Sequence, residues 1–144
     1  MSTHLLADAD YDGFWYAYEG GATIGERGSE NGYVLCDEEL GDPDDPEAAD
    51  ARVTLEQGDV EKPGYFYSII LHPWLFHVHR QEPADGEARA REIFEAIKVR
   101  LIDLARLLPY EEDGAKGIEA KMSALKEAIV DFERDYPSVS PAGL

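Results

Sequence analysis

The sequence predicts a single α+β domain. We expect an antiparallel meander sheet of about four to six strands at residues 13–81, followed by an antiparallel pair of helices at residues 84–108 and 116–136 that packs on one face of the sheet. The length of 144 residues is typical of one domain. Short apolar and aromatic runs between turn residues indicate strands in the first part, and a helical repeat follows. Because no helical pattern separates the strands, a βαβ unit is excluded.

The strand pattern recurs along the first part of the chain. Aromatic residues dominate residues 14–18 before a glycine turn, and residues 33–36 follow a second glycine-rich turn. Residues 52–56 alternate polar and apolar side chains, which predicts one buried face. Residues 65–80 are too many for one strand, so we expect two strands that are separated by a turn or kink at Pro73, or alternatively one bent edge strand.

Both helices are predicted by apolar residues that recur at spacings of four and three. In the first helix these are Ala90, Phe94, Ile97, Leu101, Leu104 and Leu108, and in the second Ile118, Met122, Leu125, Ile129, Phe132 and Tyr136. Asp85 is the expected N-cap of the first helix, and Pro109 and Pro137 end the two patterns. We expect residues 137–144 to form a flexible tail.

The charge of the chain is strongly negative and unevenly distributed. There are 31 acidic and 13 basic residues, which gives a net charge of −18. Nucleic acids and anionic membranes are therefore unsuitable partners, since both require clustered Lys and Arg. Residues 1–50 hold 14 acids and one base, residues 51–110 nine and eight, and residues 111–144 eight and four. The excess belongs mostly to the first third of the chain.

Residues 37–50 are predicted to form an acidic loop. They carry eight acids and no base, and Pro43 and Pro46 oppose regular structure. The segment is either a solvated loop or an interaction element. For the second case we expect the partner contacts to include Asp42, Asp44, Asp45 and Glu47.

Aromatic side chains are concentrated in the predicted strands. If the helices cover one face of the sheet, the other face exposes alternate residues. Trp15 and Tyr67 are therefore expected at a partner surface, because tryptophan and tyrosine are enriched at interfaces. The alternatives are that the N-terminal segments, the acidic loop or a second copy of the chain covers this face.

The stretch from Asp8 to Glu19 matches the template D-x-D-x-D-G-x5-E, with Asp8, Asp10, Asp12 and Glu19 at the carboxylate positions. It resembles an EF-hand calcium loop over 12 residues. An EF-hand requires a helix after the last acid, whereas the residues that surround Glu19 favour a strand and a turn. An acidic segment that leads into a strand is the alternative to a calcium site.

His77 and His79 form a second candidate metal site. On a strand they share one face and can present two imidazoles to a transition metal, with a third ligand from Cys36 or a carboxylate. The alternative is that they lie on the polar side of a strand whose other side carries the apolar residues Trp74, Phe76 and Val78, which already explain the strand.

Catalytic motifs are missing from the sequence. It contains no nucleophile elbow, no C-x-x-C and no phosphate-binding glycine loop, so we expect neither an enzyme nor a cofactor. Cys36 is expected to be a small strand residue. One cysteine, no apolar run of membrane length and no signal-peptide pattern at the start lead us to expect a cytoplasmic location.

The residues therefore favour a non-enzymatic domain that binds a basic protein. An immunity, inhibitor or chaperone-like protein against a toxin, nuclease or secreted effector would use such a surface. The alternative function is metal or small-ligand binding centred on His77 and His79. A homodimer is a further expectation, because a meander leaves unpaired sheet edges.

Overall fold

The computed structural model describes residues 11–139. Five strands form one sheet in the order of the chain, and each runs antiparallel to its neighbours. The predicted meander followed by two helices is therefore confirmed, including a turn at Pro73. The strands are β1 (Phe14–Ala17), β2 (Tyr33–Gly41), β3 (Ala51–Gln57), β4 (Tyr65–Leu71) and β5 (Leu75–Gln81).

Two helices follow the sheet, α1 (Gly86–Ala105) and α2 (Gly114–Asp135). Their bounds lie within three residues of the predicted ones. Helix α1 lies against β3 and β4. Its apolar stripe is buried there, as the spacing of four and three requires. The stripe residues that become buried in α1 are Ala90, Phe94, Ile97, Leu101 and Leu104.

Helix α2 packs less closely than α1. Within the described residues, Leu125 and Phe132 are its two buried side chains. Arg100 of α1 donates to Asp135 at 2.8 Å, and its guanidinium lies 5.5 Å from the centre of the Phe132 ring. The C-terminal end of α2 also contacts β5, because Phe132 meets the ring of His77.

The segment after α2 differs from the prediction where it is described. We expected a flexible tail from Pro137, but the backbone N–H of Val139 donates to the carbonyl of Val78 at 2.7 Å. Ser138 forms an antiparallel bridge with His79. Residues 137–139 thus extend along the edge of β5 that is not paired with β4. Residues 140–144 lie outside the described part.

The register of the strands assigns each side chain to one of two faces. The helix-covered face holds the core, with Leu40, Val53, Leu55, Tyr67 and Ile69 among its buried residues. We call the opposite side of the sheet the outer face. Because side chains alternate along a strand, residues next to these core positions point to the outer face.

The outer face has two halves of different chemistry. On β2 and β3 it carries polar side chains, and residues 18–32 fold over them; we call this the covered half. On β4 and β5 it carries Phe66, Ile70, Phe76 and Val78, and the Phe76 side chain is 69% exposed. We call this the open half.

Candidate functional site

The acidic loop is shorter than predicted. Strand β2 continues to Gly41, so residues 37–41 belong to the sheet and the loop comprises residues 42–50. Asp37 and Glu39 are buried, and Glu38 pairs with Lys98 at 3.0 Å. These three acids therefore do not contribute to a solvated loop, although charge alone indicated that they would.

The four acids predicted to contact a partner remain exposed. They are Asp42, Asp44, Asp45 and Glu47. The loop is locally ordered: the Asp42 carboxylate accepts the backbone N–H of Asp44 at 2.9 Å, and a turn of 3-10 helix spans Pro46–Ala48. Four like charges are thus held close together on a turn that the backbone defines.

A cavity of about 570 Å³ adjoins this loop, and we call it the acidic cleft. Its carboxylate-bearing residues come from the N-terminal segment, the loop and the connection between the helices. They are Asp12, Asp42, Asp50 and Glu112. Three aromatic residues, Tyr11, Phe14 and Tyr110, complete the walls.

The aromatic residues of the acidic cleft are uncharged and contribute apolar ring surface to its walls. The hydroxyl of Tyr11 donates to Asp50 at 2.6 Å, and burial together with that bond raises the pKa of Tyr11. Burial likewise raises the pKa of Tyr110, with a further contribution from the charge of Asp50. Both phenols stay protonated at neutral pH. Phe14 is 67% exposed and offers an apolar ring at the entrance.

Sequence reasoning did not identify the aromatic part of the cleft. Tyr110 follows α1, and only the fold of the chain brings it near Asp12 and the acidic loop. No local pattern could indicate this proximity. The one available signal was that Tyr11 lies just before the predicted strand that begins at Phe14.

Two residues that we expected at the partner surface lie on the helix-covered face instead. Tyr67 is fully buried, and its hydroxyl donates to the carbonyl of Ala90 at 3.0 Å. Trp15 is half-buried beside Lys98, whose Nζ lies 5.6 Å from the centre of its ring. The register pairs Trp15 with Leu40, which places its ring on the side of the helices. Tyr67 is thus a core residue.

The two candidate metal-ligating histidines also face inward, whereas Phe76 and Val78 face outward. The faces of β5 are therefore the reverse of our expectation. His77 and His79 are buried against the end of α2, and their rings contact Phe132 and Tyr136 respectively. This orientation follows from the register, which pairs His77 with the core residue Ile69.

Hydrogen bonds already engage both nitrogens of His79. Its Nδ1 lies 2.8 Å from the carbonyl of Pro137, and its Nε2 lies 2.6 Å from Nε2 of Gln81. A carbonyl can only accept, so Nδ1 carries the proton and Nε2 accepts from the Gln81 amide. Burial lowers the pKa of His79. The neutral ring therefore fits this site.

His77 is held in a similar way. Its Nε2 bonds to the carbonyl of Tyr136, and its Nδ1 lies 3.8 Å from the Glu133 carboxylate. In residues 11–139 no group of three or more His, Cys, Asp or Glu side chains is arranged to hold a metal ion. Metal binding by His77 and His79 stays a prediction, which elemental analysis of untagged protein would test.

The calcium template falls partly outside the described residues. Asp8 and Asp10 lie outside residues 11–139. Residues after Asp12 form β1, and Glu19 adopts a positive φ of 48° in a short turn instead of starting a helix. This local structure agrees with the alternative to a calcium site, an acidic segment that leads into a strand and a turn.

Two buried polar clusters on the covered half were not predicted. Arg52 donates to both carboxylate oxygens of Asp37, at 2.9 and 2.7 Å, and the hydroxyls of Thr23 and Thr54 donate to the same group at 2.8 and 3.1 Å. Hydrogen bonding by Asp37 is the main cause that raises the pKa of Arg52. The run of acids Asp37, Glu38 and Glu39 in β2 was the only sequence signal for this cluster.

Glu56 forms the second cluster. It is fully buried, and its carboxylate accepts the backbone N–H groups of Glu30 at 3.1 Å and Gly32 at 3.0 Å. Gly28 lies so close that an added Cβ would come within 2.3 Å of the Glu56 carboxyl carbon. Glu56 therefore fixes residues 28–32 over the sheet.

Comparison with protein-family models, with curated proteins and with solved structures finds no match to this chain. Neither α1 nor α2, the two long helices of the described part, is apolar enough over its length to cross a membrane.

Proposed function

We propose that this chain is a non-enzymatic binding domain for a basic protein, with an immunity, inhibitor or chaperone-like role towards that partner. The observation that carries the proposal is the acidic cleft together with the exposed acids of residues 42–50. Carboxylates and aromatic rings line the same cavity there. This combination suits the side chain of a lysine or arginine.

A cationic side chain would gain two kinds of contact in the acidic cleft. Its charge would be neutralised by Asp12, Asp42 and Glu112, and its aliphatic stem would lie on the rings of Phe14 and Tyr110. The chain uses the same chemistry internally. Arg52 pairs with Asp37 while its guanidinium lies 3.5 Å from the centre of the Tyr18 ring.

The acidic loop beside the cleft supports the proposal through its effect on association. Four exposed acids on one loop attract a basic surface from a distance and accelerate encounter. Screening shortens the range of this attraction as salt rises. Binding of a basic partner should therefore weaken with ionic strength, and most of the change should appear in the association rate.

A lysine-rich decapeptide and an arginine-rich decapeptide, each with a fluorescent label, provide the first test. Anisotropy titrations would measure their affinity for the whole chain at low and at high salt. We expect affinity to fall at least about tenfold as salt rises. Changing Asp42, Asp44 and Asp45 to Asn and Glu47 to Gln should weaken binding by a comparable factor.

A matched variant separates this site from the overall charge. Four exposed acids elsewhere, Glu26, Glu92, Glu119 and Glu127, are changed to Gln, which alters the net charge by the same amount. The peptides should then retain most of their affinity. Equal losses in both variants, salt-insensitive binding, or unchanged affinity after neutralising the loop would reject the proposal.

A further inference from the structure

The open half of the outer face contains a groove that is separate from the acidic cleft. It has a volume of about 720 Å³ and lies along β4 and β5. Its accessible apolar floor is formed by Ile70 and Val78. The lining also includes Ser68 and the ring of Phe66, which is fully buried. We call it the β4–β5 groove.

One large apolar side chain projects from this surface. Phe76 lines the groove and is 69% exposed. It belongs to a strand that is firmly held on both sides, by β4 and by the backbone bond between Val139 and Val78. A fixed and exposed phenylalanine beside an apolar groove provides a projection and a recess on one surface.

The rim of the β4–β5 groove differs in charge from the rest of the molecule. It contains two cations, Lys62 and Arg80, and two anions, Glu30 and Glu61. The charges of these four lining residues cancel, whereas the whole chain carries −18; Glu82, which pairs with Arg80 at 2.8 Å, is not part of the lining. Lys62 lies 3.2 Å from Glu30 and 4.8 Å from the centre of the Phe66 ring, so both signs are present close to the apolar floor.

We propose that the β4–β5 groove binds a second copy of this chain and forms a symmetric dimer. A two-fold interface must be complementary to itself, because each surface element meets its counterpart in the other copy. Phe76 and the groove satisfy this for shape, and the rim of mixed sign satisfies it for charge. A neutral rim also lets two strongly acidic molecules approach without local repulsion.

The dimer would keep the acidic cleft accessible. Phe14 of the cleft lies on β1 and Phe76 on β5, which are the opposite edges of the sheet. A stable interface buries about 800 Å² on each partner, so the groove and its rim would both be involved. The inference does not rest on the proposed function, since the two surfaces share no residue.

Sedimentation velocity of the whole chain over a concentration series tests the proposal. We expect a reversible dimer that Phe76→Ser weakens at least about tenfold, because exposed aromatic residues at the centre of an interface carry much of the affinity. Phe14→Ser is the matched control, since Phe14 has nearly the same exposure at 67%. This control should leave the dimer unchanged.

Rim charges and salt give a second measurement. Lys62→Glu makes the rim negative and should weaken the dimer, and adding Glu61→Lys restores the balance and should recover it. Higher salt should strengthen the dimer, because it screens repulsion between two acidic bodies. The salt effect on the basic peptides has the opposite sign.

Three results would overturn the dimer. One is a chain that stays monomeric up to about 1 mM. Another is a dimer that Phe76→Ser leaves intact. The third is a dimer that Phe14→Ser disrupts as strongly as Phe76→Ser does. Because the peptides report on the acidic cleft and the loop of residues 42–50, which share no residue with the groove, a failed dimer would leave the proposed function standing, and the reverse also holds.

Discussion

The covered and open halves of the outer face distribute their polar side chains in opposite ways. On β2 and β3, charged groups such as Asp37 and Glu56 lie on the outer face and are buried there. On β5, the polar His77 and His79 face the helices, and the apolar Phe76 and Val78 face outward. Polar and apolar side chains alternate along these strands in both halves. In the covered half the charged side chains point to the outer face, whereas on β5 the two histidines point to the helices.

The difference shows that the hydrogen-bond donors and acceptors within reach, more than hydrophobicity, decide which polar groups can be buried. Burial of a carboxylate is costly unless hydrogen bonds replace its water. Residues 18–32 supply such donors to the covered half, through the hydroxyl of Thr23 and the backbone N–H groups of Glu30 and Gly32. The open half has mainly apolar side chains on its outer face, and its polar residues Ser68 and Arg80 are only partly buried, so it needs no such donors.

The largest expected effect comes from removing the buried acid of the covered half. Asp37→Ala leaves Arg52 without its bidentate partner, so we expect the free energy of unfolding to fall by about 4 kcal/mol. Urea denaturation followed by circular dichroism would measure it. Asp42→Ala, in the exposed loop, should change stability by less than about 0.5 kcal/mol.

A double substitution tests whether the cost arises from the unpaired charge. Changing Asp37 to Leu and Arg52 to Met together removes both charges and should restore much of the lost stability. A loss below about 1 kcal/mol for Asp37→Ala would mean that the pair is solvated, and the contrast between the two halves would then disappear.

The second prediction concerns the cover itself. Glu56→Ala removes the acceptor of the Glu30 and Gly32 amides, and we expect a loss of about 2–3 kcal/mol. Hydrogen exchange at these two amides should accelerate more than exchange in β4. Gly28→Ala should act in the same direction, because its Cβ would displace the carboxyl group of Glu56.

Glu26→Ala is the control for this loop prediction. Its side chain is exposed and belongs to the same segment, so stability and amide exchange should both remain close to those of the parent chain. If all three variants behaved alike, Glu56 would have no special role in holding residues 28–32.

The fold was predictable because its signals are local. Alternation in residues 52–56 and the spacing of four and three in the helices need no knowledge of distant residues. The end of β2 was not predictable in this way. Asp37, Glu38 and Glu39 resemble a loop by charge, but each finds a partner elsewhere in the chain.

The candidate site was predicted in part for the same reason. The exposed acids of residues 42–50 follow from composition and proline content, which are local properties. The assignment of Trp15 and Tyr67 to the outer face failed, because alternation defines two faces without specifying which one the helices cover. Tyr110 joins the acidic cleft only through the tertiary fold.

The smallest expected effect concerns the inward-facing polar side of β5. Burial lowers the pKa of His79 below its ordinary value of 6.5, so the folded state binds fewer protons than the unfolded state just below that pH. The stability due to the neutral ring is complete above pH 6.5 and declines as the pH falls. The slope for one proton is at most about 1.4 kcal/mol per pH unit.

Thermal denaturation between pH 7.5 and pH 5 would measure this decline. His79→Gln removes the titrating group and should flatten the curve, whereas His72→Gln, at an exposed histidine, should leave its slope unchanged. Protonation would also place a second N–H of His79 against the Gln81 amide, which now donates to that nitrogen. If His79→Gln kept the parent slope, the loss of stability at low pH would have to come from other groups, and the buried histidines would not distinguish β5 from the covered half.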